Sequence, residues 1–240
     1  MAEPLVLIPG MMCDARVFWH QMIALSSERP VMVASPLEGA TIEEMAAAIL
    51  PALPERFALA GQGMGGNVAL EILRRAPERV TRIALIALSV QAETPQAAAA
   101  REERIIGAQV GRLAEMVAQD LPSELLAEGP GRPDVVAMIR DMALTLGEGV
   151  YVRQCRAMQR RPDQQKGLRT AMLPAVVIGG SADPSTPLRR HEFVAEMLPY
   201  GRLVAIEGAG HLPSVEQPEA VTAAIDDWLA APLYLRVTKR

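Results

Sequence analysis

The chain has 240 residues, 50% of them hydrophobic and 22% charged, with a net charge of −4 at neutral pH. This length suits a single domain, burying about 70% of the unfolded surface, and the composition excludes a mainly disordered protein. Lys and Arg never run beyond pairs, which argues against a nucleic-acid or anionic-membrane surface. Two cysteines, Cys13 and Cys155, without Cys-x-x-Cys spacing give neither a disulfide framework nor a structural zinc site.

In chain order, Met1-Ala2-Glu3-Pro4 lacks the positive start of a signal peptide, and nowhere do 18 apolar residues run together. The expectation is a reduced, cytoplasmic, soluble protein. Leu5–Ile8 is a wholly apolar run ending at Pro9-Gly10, the pattern of a strand buried on both faces. Val17–Leu25 has helical spacing and Val31–Ala34 is a second strand. Thr41 with Glu44 forms a capping box before a helix whose apolar positions are Ile42, Met45, Ile49 and Leu50. Phe57–Ala60 is a third strand, leading through Gly61-Gln62-Gly63-Met64-Gly65-Gly66 into a helix with Val68, Ala69, Ile72 and Leu73 on one face. Ile83–Leu88 is the fourth strand.

From Glu93 to about Thr170 the strand pattern stops. Three helices are expected instead, over Pro95–Gln119, Asp134–Leu146 and Glu148–Arg160. Then strand Ala175–Ile178, helix Leu188–Leu198, strand Arg202–Ile206 and helix Pro218–Leu229 resume the alternation. This order predicts an α/β protein: a mostly parallel, shortened sheet with helices on both faces, and one domain over 1–240. A helical insertion over about 91–170 covers one end of the sheet as a cap.

In open parallel sheets, ligands sit beyond the carboxyl ends of the strands. Four loops qualify: Pro9–Asp14, Gly61–Gly66, Gly180–Pro184 and Gly208–His211. The second is strand, Gly61-x-Gly63-x-Gly65, helix, the context of a nucleophile elbow. The middle residue of such an elbow projects over the sheet and is normally Ser; here it is Gly63. Asp183 and His211 follow in the chain order of nucleophile, acid and base. Asp183 could also serve only as a turn residue before Pro184. His20 and His191 read as ordinary helix residues.

On Leu5–Trp19, Phe57–Leu73, Tyr151–Pro162, Val176–Pro187 and Gly208–Pro218, the chain resembles the α/β-hydrolase superfamily. Its closest likeness is to compact bacterial members with a helical cap and a Pro-Gly-x-x-Cys-Asp first loop. The resemblance implies a catalytic site of Gly63, Asp183 and His211. In it a Ser would attack a carbonyl, His211 would carry its proton and Asp183 would orient the imidazole. The backbone N–H groups of Met64 and Met11 would bind the oxyanion. The implied parent activity is hydrolysis of a small, largely apolar ester, thioester or lactone. No motif asks for a metal or an organic cofactor, and the expected partner is a small-molecule substrate. Oligomeric state is left open.

Gly63 departs from that pattern and removes the nucleophile. Deliberate replacement of a Ser and natural loss both account for it, and the intact remainder of the site favours replacement. Three rival readings stand beside an inactivated hydrolase. One is a ligand-binding pseudo-hydrolase. Another is a lyase or oxygenase using His211 and Asp183 as general base. The third makes Cys13 a substitute nucleophile, although the related first-loop pattern marks it as a packing residue.

Overall fold

The computed structural model describes residues 2–233. Met1 and residues 234–240, which complete the expected domain span, lie outside the described residues. Six strands form one sheet: β1 (Leu5–Ile8), β2 (Val31–Val33), β3 (Phe57–Gln62), β4 (Val80–Ile86), β5 (Ala175–Gly180) and β6 (Gly201–Ile206). Their spatial order is β2-β1-β3-β4-β5-β6, and every neighbouring pair is parallel.

The central strands are largely apolar, Gln62, Thr81 and Arg82 aside, because both faces are covered. Leu5, Leu7, Ala60, Ile86 and Ile178 face a core shared with Phe18, Leu25, Ile225 and Trp228. Val6, Ile8, Leu59, Leu85 and Val177 face a second core with Ile42, Met45, Val68, Ile72 and Val194. Helices α1 (Trp19–Ser26) and α11 (Pro218–Leu229) therefore cover one face. Helices α2 (Ile42–Ile49), α3 (Met64–Arg75) and α9 (Leu188–Met197) cover the other. The cap of α2 differs from the expected box in one detail. Thr41 Oγ1 accepts the Glu44 N–H at 3.1 Å, but Glu44 reaches back to the Ala40 N–H, one residue before the cap.

Between β4 and β5 the chain forms α4 (Pro95–Gly107), α5 (Leu113–Asp120), α6 (Arg132–Leu146), α7 (Glu148–Gln159) and the short α8 (Gln165–Leu168). The single helix expected over Pro95–Gln119 is split. A π-helical turn at Ala108–Arg112 contains Gly111 at φ 86°, which leaves helical geometry and separates α4 from α5. The fourth strand ends at Ile86, two residues before the expected end, because Ala87 adopts φ 46°. The four-residue helices α8 and α10 (Pro213–Glu216) have too few positions to show a periodicity in the sequence.

Candidate active site

The turn from β3 into α3 is made by Gly63 alone, at φ 54° and ψ −122°. Its neighbours explain why the turn is rich in glycine. A Cβ on Gly65 would lie 2.2 Å from the Ile8 carbonyl oxygen, and one on Gly61 would lie 2.3 Å from that of Gly65. Both are backbone collisions. Gly63 is different, since a Cβ there meets nothing nearer than 3.9 Å. Space therefore permits a side chain at the centre of the elbow, and only the positive φ favours glycine. Beside it Gln62 is buried, with its Oε1 accepting the Ser214 hydroxyl at 2.5 Å and its Nε2 without a partner among the described residues.

Asp183 follows β5 and His211 follows β6, so two strand ends bring them together. His211 Nδ1 and Asp183 Oδ2 are 2.8 Å apart. The Asp183 side chain is wholly buried. Its Oδ1 accepts the N–H groups of Ser185 (2.8 Å) and Thr186 (3.1 Å), and the Thr186 hydroxyl donates to Oδ2. The turn role and the histidine-orienting geometry thus coexist, one on each oxygen. Burial pushes the Asp183 carboxyl up, but the hydrogen bonds and charge of His211, with those of Thr186, outweigh it and hold the group at about 2.

The His211 loop is held from both sides. The His211 N–H donates to the Leu125 carbonyl at 2.8 Å. Glu216 accepts the N–H groups of Gly210 (2.9 Å) and Leu212 (2.8 Å) and also that of Ala127, beyond α5. Sequence reasoning missed Glu216, which stands at the end of α10, a helix too short to show in the sequence.

In the first loop Met12 adopts φ 54°. A non-glycine residue persists there only when its surroundings fix it. Gln154 on α7 does so: its Oε1 accepts the Met12 N–H at 2.8 Å and its Nε2 donates to the Pro36 carbonyl at 3.0 Å. Among the described residues the Met11 and Met64 N–H groups have no hydrogen-bond partner, Met64 being the first residue of α3. Cys13 is 1% exposed, and burial, aided by the Asp14 charge, pushes its thiol up to about 12. That disfavours a thiolate nucleophile. Cys155 is also buried, its thiol pushed up to about 11 chiefly by burial. His191 is fully buried on α9, where burial lowers its pKa. His20 lies exposed on α1.

Gly63, His211, Met11, Met64 and Cys13 line one cavity of about 360 Å³, a volume that suits a small organic ligand. Part of its lining belongs to the segment between β4 and β5 and is charged, with Glu93, Arg101, Asp120 and Arg161 beside Tyr151. The site therefore combines a buried carboxylate–imidazole pair, unpartnered backbone donors and a glycine at the turn between β3 and α3. Among the described residues no group of three or more His, Cys, Asp or Glu side chains could hold a metal ion. No described helix is long and apolar enough to cross a membrane.

Residues 5–224 match the sequence profile of the alpha/beta hydrolase family. The chain belongs to that family. Similar sequences include a pimeloyl-[acyl-carrier protein] methyl ester esterase of Aromatoleum aromaticum. It is 29% identical over 209 residues, covering 80% of this chain and 82% of the relative. A 3-oxoadipate enol-lactonase of Acinetobacter baylyi is 25% identical, covering 91% and 85% respectively. Among solved structures, a thermophilic esterase of Thermogutta terrifontis superposes with a TM-score of 0.86 at 28% identity, covering 95% of this chain and 90% of that one. The relatives are ester and lactone hydrolases, and this alpha/beta hydrolase carries their fold with glycine at its elbow.

Proposed function

We propose that this alpha/beta hydrolase is built to hydrolyse a small carboxylic ester, thioester or lactone, and that in its present form it binds such a molecule but turns it over poorly. The observation that carries the reading is one cavity holding four things. They are the His211 imidazole, held by buried Asp183 outside the lining, the elbow residue Gly63 and the unpartnered N–H groups of Met11 and Met64. Acyl transfer needs a nucleophile, a base whose tautomer is fixed and donors for the oxyanion. Two of these roles have residues, and the nucleophile is missing. The helices between β4 and β5 serve as a cap that shields the bound ester from water. With Ser at the elbow, His211 would take the hydroxyl proton and return it to the leaving group. Asp183 would keep Nδ1 protonated and Nε2 free.

The test is labelling by a fluorophosphonate probe, read by intact mass, on this chain and on Gly63→Ser. The expected result is that only Gly63→Ser gains the mass of the probe and that His211→Ala in that background abolishes labelling. If Gly63→Ser folds and does not react, the site is not an acyl-transfer site and the ligand-binding reading takes its place.

A further inference from the structure

The charged cluster on this side of the cavity, which includes Arg104 outside the lining, holds three guanidiniums and two carboxylates, although it is largely buried. Asp120 is engaged by Arg104 and by the Tyr151 hydroxyl. Glu93 is engaged by Arg101, through Nε at 2.8 Å and Nη2 at 2.7 Å. Two carboxylates thus have two guanidiniums already. Arg161 is the third, with a side chain 10% exposed. Its Nε donates to the Gln91 carbonyl at 2.7 Å, but among the described residues its only ion-pair contact is a long one, 3.4 Å to the Glu93 oxygen that Arg101 already holds. Burial, the largest influence, keeps its pKa below that of an ordinary arginine, against the opposing pull of Glu93. A buried cation without a full counter-charge is costly, and a ligand anion would relieve it. Arg161 lines the same cavity as Gly63 and His211, so that anion would belong to the molecule whose carbonyl lies at the elbow.

We propose that the substrate carries a second, ionised carboxylate, seated on the Arg161 guanidinium with Arg101 beside it. This rests on the ester and lactone reading and replaces the largely apolar substrate expected from the sequence with a monoanionic one. A guanidinium matches a carboxylate through paired N–H donors, which fixes the far end of the substrate and sets its length.

Because this chain lacks a nucleophile, binding is measurable without turnover. Monomethyl succinate, glutarate and adipate are titrated calorimetrically against the chain, each beside its dimethyl ester. At least one monoanion is expected to bind about tenfold more tightly than its diester, as for a hydrogen bond to a charged group. Arg161→Gln is expected to remove that preference, and Arg161→Lys to keep part of it. Equal affinities within every pair, no detectable binding of any monoanion, or equal weakening of both esters by Arg161→Gln would overturn the proposal. The comparison of monoanion with diester needs no variant, so misfolding of a substituted chain does not obscure it. Labelling of Gly63→Ser without anion preference removes this subsite alone. Anion preference without labelling removes the ester reading and leaves the subsite as an anion site.

Discussion

Asp183 shows how one side chain can be fixed by its neighbours and still serve another. Oδ1 closes the turn onto Ser185 and Thr186, and this aims Oδ2 at His211. The burial that raises its pKa is overcome by these donors, so the folded value lies at about 2, below the ordinary carboxylate value of 3.8. A depressed folded pKa stabilises the native state fully above the ordinary value. That contribution is lost as pH falls from about 4 through about 2, and amounts to about 2 kcal/mol. Urea unfolding of this chain and of Asp183→Asn, compared across that interval, should show the difference in stability shrinking by about this amount as pH falls. Parallel curves would mean that Asp183 is not ionised and paired in the folded chain.

The β3–Gly63–α3 unit is where the sequence was most legible, because a close approach of backbone to backbone is written as glycine. Gly61 and Gly65 are demanded by carbonyl oxygens 2.2–2.3 Å from where a Cβ would stand, whereas Gly63 has 3.9 Å of room. Substituting each by alanine should separate the two causes. Gly65→Ala must move backbone and should cost more than about 4 kcal/mol or prevent folding. Gly63→Ala meets only the torsional cost of a positive φ, about 1–3 kcal/mol. Urea midpoints decide it, and similar losses at the two positions would contradict the steric account. The chain order of Asp183 and His211 was legible for a related reason, since each follows an apolar strand run at a sheet end. What sequence reasoning missed depends on contacts between distant segments. The positive φ of Met12 and Ala87 and the anchoring roles of Gln154 and Glu216 leave no local pattern. The break at Gly111 was hidden by helix-compatible residues on either side.

Across the whole molecule, the helical segment and the strand-end loops form one hydrogen-bonded unit around the cavity. His211 is tied to Leu125, and Glu216 joins Gly210 to Ala127. Arg153 Nε donates to the Leu37 carbonyl, and Gln154 spans from Met12 to Pro36. The Met11 N–H, the proposed oxyanion donor, is therefore set partly by α7, far away in sequence, through the strained residue next to it. Gln154→Leu keeps similar bulk but removes both hydrogen bonds and leaves the Met12 N–H unpaired. A buried donor left without a partner costs about 1–3 kcal/mol, so a stability loss of that order should appear in urea unfolding. Freed from Gln154, Met12 should relax toward ordinary backbone angles and carry the Met11 N–H away from the oxyanion position. Donors of this kind act on the transition state more than on the bound ester. With Gly63→Ser as the reference and p-nitrophenyl acetate as substrate, adding Gln154→Leu should lower kcat about tenfold or more and change KM little. A rise in KM at constant kcat would instead assign Gln154 to the shape of the cavity and free the Met11 amide from its control.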